Sequence, residues 1–391
     1  MKIKSFIALC AFAAMSISVF AQKGELRTAK TSYDQYTALK SIQKSLAETN
    51  LQSAKQAIDK ASLHEKTKND PEVWTYRALI YADLAVSDST FQQSEQLVSE
   101  AAEALKKAQE LDKEGKNKSG IENAQKILAQ YSMNKGVKEF QDKKYGEAYK
   151  AFEDVLTRLP GDTTVTYYAG LAAMMAQDYP AAIKKYSELL NTNYSKLEDI
   201  YLNLSISYAA ANDTAAAIRT ASEAAQKFPQ NSVFATREIE LSLMSGKENE
   251  VIEKIEAQAQ KEPQNKIYPY YLGIAYNAVK NYDKAEEAYK KAIALDPNYT
   301  EANINLGGLI MNQGIELYNK ANALPTSKQK EYEASMKQAN ALFDKAFPYL
   351  EKAVELDPKS RLALENLRTY YVVKNNVAKV TELKSRIDAL Q

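Results

Sequence analysis

Cysteine, histidine and tryptophan occur once each in these 391 residues, as Cys10, His64 and Trp74. A single histidine leaves no multi-histidine zinc site. That histidine lies in Leu63-His64-Glu65-Lys66, at the polar end of an expected helix, where it reads as a solvent-exposed helix-end residue rather than a general base. A phosphate loop is absent too, since Gly246-Lys247 is followed by Glu248 and has no glycine five residues upstream. Neither G-x-G-x-x-G, G-x-S-x-G nor an EF-hand loop occurs. Carboxylates are plentiful, but Glu153-Asp154 and Glu286-Glu287 fit solvated helix faces, with basic residues at i+3 or i+4. No catalytic residue, cofactor site or metal site is therefore expected, and the chain reads as non-enzymatic.

Charge of one sign is lacking as well. Lysine and arginine number 51 against 50 acidic residues, with no sustained basic block and no basic-aromatic interleaving. That balance argues against nucleic acid and against an anionic membrane surface as partner. Only one apolar run stands out, from Phe6 to Phe20, preceded by Lys2 and Lys4 and followed by Val19-Phe20-Ala21. This is the pattern of a cleaved secretory signal over residues 1–21, too short for a membrane-spanning helix. Export to a periplasmic or extracellular space follows as the expectation, with Gln22 as the mature N-terminus. The leader would take Cys10 with it, leaving no disulfide and 49 basic residues against 50 acidic ones.

What is present is a period. Pro229, Pro263 and Pro297 stand 34 residues apart, as do Gly136 and Gly170, and Gly273 and Gly307. Alanine recurs at Ala101, Ala148, Ala182, Ala217, Ala285 and Ala346, and seven residues on at Ala108, Ala224, Ala292 and Ala353, with Val155 and Leu189 substituting. Around Pro297 the fullest unit reads Tyr270-Tyr271-Leu272-Gly273-Ile274-Ala275-Tyr276, then Tyr282-Asp283-Lys284-Ala285, Tyr289, Ala292 and Leu295-Asp296-Pro297. These residues resemble the tetratricopeptide repeat (TPR) family. The resemblance implies an all-α fold, a solenoid in which two antiparallel helices per repeat stack into a right-handed superhelix. It spans residues 22–391 as about eight repeats, closed by a capping helix pair at 361–390.

Departures from the motif mark insertions near 85–100, 116–128 and 318–342. Gly307 and Pro358 are 51 positions apart, against 24 between Gly273 and Pro297. Ala321 to Ala341 is rich in Lys, Glu, Gln and Ala, with one break at Leu324-Pro325-Thr326-Ser327, so it reads as two lengthened helices joined by a turn. Thirteen extra residues per helix would project roughly 20 Å. Pro348 falls in the second of these helices, where a kink or restart is expected. In the unit ending at Pro263, Val251, Gln258 and Ile239 replace alanines and glycine, which predicts looser packing.

In TPR proteins a concave groove is lined by first-helix positions that do not pack on the second helix. Carried onto this chain, those positions are Met133, Asn134, Val137 and Phe140, then Tyr167, Leu171, Met174 and Met175, then Leu202, Asn203 and Ile206. Further along they are Tyr270, Ile274 and Asn277, followed by Ile304, Asn305 and Met311. The set is apolar and rich in methionine and tyrosine. It has no lysine, so the lysine-asparagine carboxylate clamp of chaperone-binding TPR domains is not matched. Asn134, Asn203 and Asn305 fit repeat-to-repeat hydrogen bonding, whereas the thioethers and tyrosines suit an adaptable protein-binding surface. The expected function is an interaction scaffold for a peptide segment or protein. The alternative is a structural component that assembles with itself or an envelope complex through its convex face and insertion helices, as a homo-oligomer.

Overall fold

A computed structural model describes residues 24–88, 90–91 and 94–390. The expected leader, with Cys10, lies outside the described residues. Every regular element among the described residues is helical. The chain forms two compact units, one up to Asn212 and one from Asp213. The first contains α1 (24–39), α2 (Lys44–Leu63), α3 (Pro71–Ser87), α4 (Ser94–Leu111), α5 (Lys118–Gln141), α6 (Tyr145–Arg158), α7 (Thr163–Met175), α8 (Tyr179–Leu189) and α9 (Leu197–Ala210). The second contains α10 (Thr214–Lys227), α11 (Ser232–Met244), α12 (Glu248–Lys261), α13 (Ile267–Ala278), α14 (Tyr282–Leu295), α15 (Thr300–Asn322), α16 (Gln329–Leu356), α17 (Arg361–Val373) and α18 (Val377–Asp388). The fold is an all-α solenoid. None of the described helices is long and apolar enough to cross a membrane.

Several helix pairs are punctuated in the same way. First helices end on a residue in the left-handed region, at Lys143, Gln177, Asn212, Gly246, Lys280 and Asn375. The next backbone N–H then reaches back five residues, as from Asp178 to Ala173 O and from Asn281 to Tyr276 O, both near 2.9 Å. This satisfies carbonyls that the helix end leaves open. Some of the second helices start on a side-chain cap, Asp178 accepting from the Ala181 N–H and Asn281 from the Lys284 N–H. Asp162 opens α7 by accepting from the N–H groups of Thr164 and Val165.

Packing within a pair turns on a glycine facing a large ring. A Cβ at Gly136 would lie 2.7 Å from the Phe152 ring, and one at Gly170 would lie 2.9 Å from the Tyr186 ring. At Gly273 it would fall closer still to the Tyr289 ring. The alanines of the 34-residue period are fully buried, Ala101, Ala148, Ala182, Ala217, Ala285 and Ala346 all at 0% exposure. The looser packing expected around Pro263 is found: α11 and α12 approach each other over a shorter stretch than α7–α8 or α13–α14 do. Ile239 replaces the glycine, but its partner sixteen residues on is Ile255 rather than a ring, and the two are 1% and 0% exposed. A branched side chain on each helix keeps the seam buried while the two backbones meet less closely than where glycine faces a ring.

Helices α15 and α16 form the longest hairpin, with the 3₁₀ turn Thr326–Lys328 before α16. Phe343 seats on Gly314, and Leu350 on Gly307. No restart occurs at Pro348, and α16 runs unbroken from Gln329 to Leu356. Pro348 is exposed while Phe343, Ala346, Leu350 and Ala353 are buried along the opposite side, so packing against α15 holds the helix through the missing hydrogen bond. In the first unit, α5 is lengthened at its start. Its Gly120 closes on Thr75 of α3, and Ile121, Ala124 and Leu128 join the same core.

Candidate functional site

In the first unit the expected lining residues fall on one side of α5, α7 and α9. Met133 packs beside the Phe152 cluster, Phe140 meets Tyr145 edge-on at 5.2 Å, and Val137 is 40% exposed. On α7, Tyr167, Leu171 and Met174 follow one another at i, i+4 and i+7, all half-buried, with Met175 beside them at 45% exposure. Leu202 and Ile206 of α9 are half-buried. Tyr168, not on the expected list, is 41% exposed.

The second unit differs. Tyr270 and Ile274 are half-buried and Asn277 is exposed on α13. Ile304 and Met311 are 8% and 2% exposed, so neither is available to a ligand. They belong to a core with Phe343, Leu350 and Leu367. The reason is α17, which packs on α15, bringing Asn366 against Gly308 and Leu364 and Leu367 into the same core.

Tyrosine clusters organise both faces. Tyr167 stacks on Tyr194 of the α8–α9 loop at 5.5 Å and 22°, with Tyr168 at 5.6 Å and Tyr186 at 6.2 Å. Burial first, and then the nearby Asp199 carboxylate, hold the Tyr167 hydroxyl above its ordinary value, and Asn203 faces it. In the second unit Tyr270 meets Tyr299 at 5.0 Å, Tyr271 at 5.8 Å and Tyr289 at 6.1 Å. Asn305 Nδ2 donates to Tyr270 Oη at 3.3 Å, joining α15 to α13. There, burial and then Glu301 push the Tyr270 hydroxyl up.

One residue breaks the parallel. Lys266, a turn before Tyr270 on the same face of α13, stands over the Tyr299 ring at 4.6 Å and pairs with Asp296. That pairing holds the Asp296 carboxyl below its ordinary value. Sequence reasoning overlooked Lys266, Tyr194 and Tyr299 because the motif count began at Tyr270 and stopped before the loops. Aromatic residues just after a second helix were the signal available.

Among the described residues, no group of three or more His, Cys, Asp and Glu could hold a metal. His64 caps the end of α2, its Nδ1 accepting from the Lys66 N–H at 3.2 Å, so it has a local structural duty.

Tetratricopeptide repeat family models match residues 133–197 and 270–299, the two stretches that carry the tyrosine clusters. Both stretches are tetratricopeptide repeats. Among solved structures, this TPR chain is similar to a TPR repeats protein from Bacteroides fragilis, at 23% identity over 63% of this chain and 98% of that one, with a TM-score of 0.32. It is also similar to the C-terminal part of a TPR repeat-containing protein from Cytophaga hutchinsonii, at 18% identity over 66% and 94%, with a TM-score of 0.47. No curated protein matches the chain. Tetratricopeptide repeats generally mediate protein–protein interaction, which supports a scaffold role for this chain.

Proposed function

We propose that this TPR protein is a non-enzymatic scaffold whose first unit binds an extended segment of a partner protein along α5 and α7. The observation that supports this most is the run of Val137, Tyr168 and Met175, 40–45% exposed, beside half-buried Tyr167, Leu171 and Met174. Contiguous apolar surface left open on one face marks an interaction site. Methionine adapts to the shape of a partner, and tyrosine offers contact area with a polar tip. Self-assembly through the α15–α16 hairpin has less support. Its outer positions are Lys, Glu, Gln and Asn, with ion pairs such as Lys320–Glu316 at 2.6 Å and Lys328–Glu331 at 2.9 Å.

A display library of random extended peptides, selected against the full chain, tests the reading. Peptides recovered from it should lose about 100-fold in affinity for a Val137→Gln, Met174→Gln, Met175→Gln variant, since a few large residues dominate such interfaces. The variant should keep its helical content and melting temperature. Selected peptides that bind the variant as tightly as the parent chain would reject the site.

A further inference from the structure

The two tyrosine clusters are repeats of one another, and only one holds its own cation. Aligning Gly170 with Gly273, which carry the same ring contact, sets Tyr167 opposite Tyr270, Tyr186 opposite Tyr289, and Thr163 opposite Lys266. Asp199 and Glu301, at the start of the next first helix, both act on the leading tyrosine of their cluster. In the second unit the Lys266 ammonium stands over Tyr299. In the first unit a loop tyrosine again contacts the leading one, Tyr194 on Tyr167, though two positions earlier in the register, where Lys196 matches Tyr299; threonine occupies the place of Lys266 and Asn193 that of its partner Asp296. Among the described residues, Asp199 is exposed and no lysine or arginine pairs with it.

We infer that the Tyr167–Tyr194 pair with Asp199 receives a lysine or arginine side chain of the bound segment, the place that Lys266 fills from within the chain in the second unit. The inference rests on the proposed binding face of α7 and adds the chemistry of what binds there. A tyrosine face attracts a cation through its ring quadrupole, and a carboxylate alongside adds charge attraction. The position fits the face. Thr163, Tyr167, Leu171 and Met174 fall on one side of α7 at i, i+4, i+8 and i+11, so a basic residue here would sit at one end of the apolar strip. The cation would give the segment a fixed direction and register, which an apolar strip alone supplies poorly.

Peptides selected from the random library against the full chain provide the probe. They should share a lysine or arginine at one position, and replacing it with glutamine should weaken binding about fivefold. Asp199→Asn should weaken the parent peptide by a similar factor but leave the glutamine peptide unchanged. Thr163→Lys, which supplies the missing cation from within, should do the same. Both positions lie outside the core, so matching melting temperatures establish that the variants fold. Peptides that lose affinity for the Val137, Met174, Met175 variant yet show no basic preference, or no coupling to Asp199, would overturn the inference and leave the binding face standing. Peptides that bind that variant normally would remove both.

Discussion

The α7–α8 and α13–α14 pairs are almost the same object built twice, with a cation missing from one copy. Gly170 faces Tyr186 as Gly273 faces Tyr289. Ala182 and Ala285 are both fully buried, and Gln177 and Lys280 both take φ of 62°. Where the copies part is outside the repeat motif, at Thr163 against Lys266 and in the loop residues that cover the leading tyrosine. Positions that recur every 34 residues hold helix on helix, whereas positions free of that duty are where recognition can vary. The second unit has also spent part of its open face: α17 packs on α15 and shares a core with Ile304 and Met311, and Lys266 occupies its aromatic site. The first unit has done neither.

The likeness of the copies can be broken first at their glycines. Gly273→Ala should destabilise the chain by about 1–3 kcal/mol, because the added methyl overlaps several ring atoms of fully buried Tyr289. Gly170→Ala should cost less, since its nearest approach to the Tyr186 ring is 2.9 Å and alanine's helix propensity offsets part of the overlap. Thermal melts of the two variants check the order, and a reversed order would mean that the contacts are not equivalent. A smaller effect sharpens the comparison. Gln177→Gly and Lys280→Gly should each stabilise by about 0.5 kcal/mol, relieving a left-handed residue at some cost in chain entropy. Unequal gains in denaturant midpoint would show that the two turns differ.

Much of this was legible in the sequence because the repeat forces the same small residues into the same contacts. Ala285 and Gly273 could be read as packing residues from the resemblance to the repeat motif, and the break at Leu324–Ser327 marked the hairpin turn. Other features depended on relations between residues that a single motif position does not carry. Ile239 marked the looser pair, but did not show that Ile255 would stand opposite it and keep the seam buried. Pro348 looked like a break until the packed side of α16 was seen to hold it. For the candidate site, spacing gave the side of α7 on which Tyr167, Leu171 and Met174 lie. It could not show that α17 packs on α15 and shares a core with Ile304 and Met311, since that depends on contact between helices of different repeats, nor that loop tyrosines complete each cluster.

The central claim is that the first unit's α5–α7 face meets the partner segment while the α15–α16 hairpin does not. Site-specific photo-crosslinking tests it most directly, with benzoylphenylalanine placed at Met175, which is 45% exposed, or at Asn319, exposed on the hairpin. A selected peptide should crosslink efficiently from position 175 and only at background from 319. Crosslinking from 319 with none from 175 would contradict the account.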